Sequence, residues 1–142
     1  MKYLLDTDHI SILQKQSGPE HAALTSRIAQ YSPADFTFSI VSFHEQTLGG
    51  HAFLSRARTA AQMIHGYSLL MDTLQTFMTR TVLPFDVAAE AVFSGLKTQR
   101  IRVGTMDLRI AAIALSRGLI LLTRNQRDFG RVPGLLTEDW TI

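Results

Sequence analysis

A chain of 142 residues, 46% of them apolar, has the size of one ordinary domain and enough hydrophobic side chains to fill one core, so a single domain over 1–142 is expected. The absence of cysteine excludes disulfides, zinc-thiolate fingers and thiol catalysis, and fits a reducing cytosol. Net charge is only +2, yet from Lys97 to Arg131 eight basic residues stand against Asp107 and Asp128, a local balance of +6 that suits a phosphodiester substrate as well as it suits a solvated face.

Met1-Lys2 leads straight into a strand-like run with no secretory signal. No uninterrupted apolar stretch approaches the ~18 residues that span a bilayer. A soluble, cytoplasmic protein without membrane association is expected.

In chain order the pattern alternates between strand and helix. A strand over 2–5 gives way at Asp6-Thr7-Asp8 to helices over about 8–16 and 20–31, with Asp8 in position to cap the first. A strand over 36–40 precedes a helix from about 42. The longest predicted element runs from Phe53 to Arg80, where Ala57, Ala60, Ile64, Tyr67, Met71, Leu74 and Met78 recur at steps of three and four. Met63, Met71 and Met78 read there as core or interface filler.

Val82, Leu83 and Phe85 form a strand ending at Asp86, followed by a helix over Val87–Lys97 with Ala88, Ala91, Val92 and Leu96 inward. Gly104-Thr105 restarts the chain as a helix, with the Thr105 hydroxyl as N-cap and Asp107 in the first turn; Gly118 closes it. Leu119 to Leu122 read as a buried parallel strand ending at Thr123-Arg124-Asn125, and Leu135-Leu136 as a last edge strand. This βαβ-type order predicts an α/β fold.

The chemistry-bearing residues fall where strands end or helices begin. Asp6, Glu45, Asp107 and the cluster Arg124, Asn125, Asp128 lie at such junctions. Ligands of open parallel sheets bind outside the carboxyl ends of the strands. Carboxylates gathered there predict a site for a hard divalent cation, magnesium or manganese. Each has a structural alternative: Asp107 complements a helix dipole, Asp6 marks a junction, and Thr123-Arg124-Asn125 serves as a turn. Glu45 lies among Ile40, Val41, Phe43 and Leu48, where a carboxylate needs a partner, and a metal or an arginine would serve.

Several carboxylates without histidine suit metal-dependent attack of water on a phosphodiester. His44-Glu45 is not a zinc-protease motif, because the position of the second histidine is Leu48. His9, His21, His51 and His65 show no ligand spacing. Asp6-Thr7-Asp8 also evokes a dehalogenase-type phosphatase nucleophile, but no matching downstream lysine and acidic pair follows.

LLDTDHIS at 4–11, SFHEQTLGG at 42–50, VGTMDLRIAAIAL at 103–115 and LLTRNQRDFGRVPGL at 121–135 together resemble the successive motifs of PIN-domain ribonucleases, with VapC-type toxins of bacterial toxin-antitoxin pairs the nearest likeness. The resemblance spans the chain and implies a three-layer α/β/α sandwich with a mostly parallel five-stranded sheet. It implies a Mg2+- or Mn2+-dependent endoribonuclease in which Asp6 and Asp107 hold metal, Glu45 ligates it or positions water, and Asn125 stands where the wider family often has a fourth carboxylate.

Arg124 and Arg109 are candidates for the substrate phosphate, and Asp8 and Asp128 for auxiliary roles. RNA as substrate, a cognate antitoxin and a homodimer are the implied partners, with the 53–80 region as candidate contact surface. A catalytically silent module that binds RNA or a partner through the basic face is the alternative.

Overall fold

The computed structural model describes residues 1–142. Five short strands, β1 (Tyr3–Leu5), β2 (Phe36–Ser39), β3 (Thr81–Leu83), β4 (Ile120–Leu122) and β5 (Thr137–Glu138), form one sheet in the order β3-β2-β1-β4-β5, with all four pairings parallel. The chain starts in the middle of the sheet, builds outward through β2 and β3, then returns to the other side of β1. The strand order therefore reverses between β1 and β4, and a crevice opens outside their carboxyl ends.

Alternation along each strand divides the interior into two layers. Tyr3, Leu5, Phe36, Phe38 and Leu122 face helices α1 (Thr7–Lys15) and α2 (Pro19–Ile28), and share a core with Ile10, Leu24 and Trp140. Leu4, Leu83 and Leu121 face α5 (Val87–Thr98) and α6 (Thr105–Arg117). In α6, Ile110 to Ala114 are all buried, which is what a helix apolar on nearly every side requires. The result is the expected three-layer α/β/α sandwich.

The predicted helix over 53–80 is two helices, α3 (Ile40–Arg56) and α4 (Ala60–Phe77). Ala57 is extended, and Thr59 opens α4 with a capping box: its hydroxyl accepts from Gln62 N at 3.1 Å, while Gln62 Oε1 accepts from Thr59 N at 3.2 Å. The apolar stripe lies outside the core. Ile64, Tyr67, Met71, Leu74 and Met78 are exposed, as is Met63, whereas Gly66, Thr73 and Phe77 form the buried face. The two helices approach closely because each offers a glycine. A Cβ on Gly50 would stand 2.6 Å from the Leu70 side chain, and one on Gly66 2.5 Å from that of Leu54.

Smaller departures have local causes. The Asp6 carboxylate, not that of Asp8, caps α1 by accepting from Thr7 N at 2.8 Å. Thr105 is the first residue of α6 behind a Gly104 N-cap that has no side chain to offer. In α5 the inward face is Ala89 and Leu96 with Val92 and Phe93 half-buried, leaving Ala88 and Ala91 exposed. The last strand begins at Thr137, beyond Leu135-Leu136, where Leu121 and Leu122 pair with Thr137 and Glu138. Gly118 closes α6 in the left-handed conformation, φ 66°, as expected.

Candidate active site

Asp6 leaves β1 directly beneath the crevice and is only 6% exposed. Both of its carboxylate oxygens are held: Oδ1 by Thr7 N and Oδ2 by the Thr123 hydroxyl, each at 2.8 Å. Burial, and then the neighbouring Asp8, push its pKa up from 3.8 to about 7; the two hydrogen bonds oppose that shift, and Asp107 adds to it.

Asp107 enters from the first turn of α6 and is half-buried. Its pKa is raised to about 6, first by burial and then by Glu45, Asp128 and Asp8. Glu45, the sixth residue of α3 after its Ser39 N-cap, receives the Thr7 hydroxyl on Oε1 at 2.8 Å. Its partner is thus a hydroxyl rather than an arginine. The same Thr7 oxygen lies 2.9 Å from the buried Ser42 hydroxyl, which fixes Thr7 between the first strand exit and α3.

The β4 exit completes the crevice. Arg124 N donates to Asp8 Oδ2 at 2.9 Å, and Asn125 caps the short helix α7 (Gln126–Phe129), accepting from Asp128 N at 3.3 Å and donating from Nδ2 to Asp128 Oδ2 at 3.1 Å. Asp128 also lies 3.6 Å from the Arg131 guanidinium.

The structure therefore brings Asp6, Asp8, Glu45, Asp107 and Asp128 close enough to act on one another electrostatically. Arg124 extends into solvent beside them with no ion pair of its own. Arg109 points elsewhere: two residues after Asp107 on the same helix, its guanidinium lies 5.7 Å from the Phe93 ring and 3.6 Å from Met106 Sδ.

No lysine or arginine pairs with Asp6, Glu45 or Asp107, and the acidic groups do not form a ready-made cluster of three ligands. Anionic oxygen donors in a partly dry crevice, with protons held above their ordinary range, fit a hard divalent cation. A cleft of about 370 Å³ between α1 and the α3–α4 pair, lined by Gln14, Gln46, Asp72 and Thr73, contains none of these residues.

Three groups escaped sequence reasoning. Thr7 and Thr123 each follow an inner strand and supply a hydroxyl to a carboxylate, a signal readable only once the β1 exit is known to lie beside both α3 and β4. His9, without ligand spacing, is fully buried against Asp8.

No protein-family model matches the chain. It is 32% identical over 145 residues to the tRNA(fMet)-specific endonuclease VapC of Shigella flexneri, with 99% of both chains covered. The chain belongs to the VapC family of PIN-domain toxins. This VapC-type chain is also 28% identical to Ribonuclease VapC1 of Haemophilus influenzae strain R2866 over 99% of each chain. Among solved structures it superposes on VapBC-1 from nontypeable Haemophilus influenzae with a TM-score of 0.70 at 27% identity over 100% of both chains. It superposes on DNA-bound VapBC from Salmonella typhimurium with a TM-score of 0.76 at 24% identity, covering 99% of this chain and 98% of that one. Its sheet of five parallel strands flanked by helices is the PIN-like fold of the family.

Proposed function

We propose that this VapC-type chain is one nuclease domain over residues 1–142: a metal-dependent endoribonuclease, and the toxin of a type II toxin-antitoxin pair acting in the cytoplasm. The observation that carries the reading is the pair Asp6 and Asp107, both raised by burial and by neighbouring carboxylates at a strand-order reversal, with no protein cation to neutralise them.

Asp6 and Asp107, with Glu45 beside them, would hold Mg2+ or Mn2+, which supplies a lowered pKa for bound water and charge neutralisation at the scissile phosphate. Glu45, tethered through Oε1 to Thr7, keeps Oε2 for the attacking water and takes up its proton. Water oxygen bonds to phosphorus as the bond to the 3′ oxygen breaks, and the departing 3′ oxygen takes a proton from solvent, leaving a 5′-phosphate and a 3′-hydroxyl. Asn125 orders the β4 exit, and Arg124 meets a flanking phosphate. Asp8 and Asp128 act as auxiliaries by holding that loop. Arg109, engaged with Phe93 and Met106, is left to a supporting role in α6.

The exposed stripe Ile64, Tyr67, Met71, Leu74 and Met78 supports an interface on α4 for an antitoxin or a second copy of the chain. No helix is long and apolar enough to cross a membrane.

The test is incubation of total cellular RNA with the purified protein and Mg2+ or Mn2+, beside EDTA and Asp6→Asn. Discrete products only with metal and the unaltered carboxylate are expected. Binding that survives EDTA without cleavage would instead identify a silent RNA-binding module.

A further inference from the structure

His9 is a buried polar residue that the mechanism above does not use. It is 0% exposed in the first turn of α1, and both ring nitrogens are engaged. Trp140 N donates to Nε2 at 3.2 Å across 131 positions of sequence. A backbone N–H can only donate, so Nε2 is the acceptor and the ring proton sits on Nδ1, which donates to Asp8 Oδ1 at 2.8 Å. The other charged group facing the ring, Asp139, has Oδ1 3.9 Å from Nε2 and is already occupied by Thr141 N and the Thr141 hydroxyl.

Asp8 passes the constraint on. Its second oxygen accepts from Arg124 N at 2.9 Å and lies 3.3 Å from the Thr123 hydroxyl, whose shorter bond is to Asp6. The buried tail residue Trp140, the first turn of α1 and the β4 exit are thus joined through one imidazole.

We propose that His9 is a positioning residue: as the Nδ1–H tautomer it orients Asp8 so that the Thr123–Asn125 segment is latched beside Asp6. The role in cleavage rests on the nuclease reading above; the latch does not. Without His9, Asp8 keeps its charge but loses its fixed rotamer, and the Arg124 amide loses its acceptor for part of the time.

Two substitutions separate this role from mere packing. His9→Asn keeps an N–H donor near the position of Nδ1, whereas His9→Gln reaches the Nε2 position and keeps an acceptor for Trp140 N. Hydrogen exchange of the Arg124 amide is measured in both variants and in the unaltered protein, all metal-free. Exchange is expected about tenfold faster in His9→Gln, the loss of one charge-assisted hydrogen bond, and close to the unaltered rate in His9→Asn. In RNA cleavage, His9→Gln is expected to raise the Mg2+ concentration for half-maximal rate by about tenfold, and His9→Asn to restore it.

Equal Arg124 exchange in the two variants overturns the latch. Absence of cleavage by the unaltered protein counts against the nuclease reading alone, and the exchange comparison still decides the latch.

Discussion

The Thr123 hydroxyl at the end of β4 donates to Asp6 Oδ2 at the end of β1, 2.8 Å away and 117 positions distant in sequence. This bond spans the crevice at the strand-order reversal and favours the ionised form of a carboxylate that burial otherwise holds protonated. Thr123→Val removes the donor at constant shape. The Asp6 pKa is expected to rise above about 7, moving the acidic limb of the pH-rate profile upward, and stability at pH 8 to fall by about 1–3 kcal/mol. Urea denaturation and a pH series of initial rates check both.

Asp6→Asn keeps a good helix cap, since an amide oxygen also accepts from Thr7 N. It removes the charge that would hold a cation. Cleavage is expected to fall by about three orders of magnitude while the metal-free protein at pH 8 melts no lower than the unaltered one. A variant that cleaves normally would dismiss Asp6 from the mechanism.

The raised carboxyls set the sign of a pH dependence. Asp6 and Asp107 hold protons in the folded state, up to about pH 7 and about pH 6, that the unfolded chain releases near 3.8. Over that window the folded state binds more protons, so unfolding free energy from these groups falls as pH rises and the penalty is complete above pH 7. Thermal melts of metal-free protein from pH 4 to 8 should show this decline, flattened in Asp6→Asn. Added Mg2+ should recover stability at the alkaline end by binding the folded form.

The glycines of the helices offer a paired comparison. Gly66→Ala places a methyl group 2.5 to 2.7 Å from the Leu54 side chain and is expected to destabilise by about 1–2 kcal/mol despite better helix propensity. Gly95→Ala in α5 meets nothing within 4 Å and is expected to stabilise by about 0.5–1 kcal/mol. Urea midpoints with unchanged m-values would confirm both signs.

Local chemistry made much of this legible in advance. The three-residue strands β1, β3 and β4 are legible because Asp6, Asp86 and Thr123 end apolar runs, whereas β5 lies beyond the predicted Leu135-Leu136; Gly118 marks its helix end by being the residue that tolerates φ 66°. The break at Ala57-Arg58-Thr59 was also written locally, as Thr59-x-x-Gln62. It was outweighed by an apolar period that continues through it. Periodicity reports that a helix has an apolar face, but does not say whether that face meets its own core; here Ile64, Tyr67 and Met71 face out.

The site divides in the same way. Asp6 and Asp107 were visible at element junctions. The Thr7–Glu45, Thr123–Asp6 and Trp140–His9 bonds join residues 38, 117 and 131 positions apart, and no local pattern encodes them.

The return of β4 to the inner side of the sheet has a consequence during synthesis. Until Ile120–Leu122 emerges from the ribosome and docks beside Tyr3–Leu5, the crevice has only one wall: Asp6 lacks Thr123, and Arg124 and Asn125 are absent. Domains settle as units when their last structural elements arrive. A nascent or prematurely released chain ending before residue 120 carries Asp6, Asp8, Glu45 and Asp107 with no pocket to unite them. In a chain built in this order, the two walls of the acidic crevice meet only when the last inner strand of the sheet has taken its place.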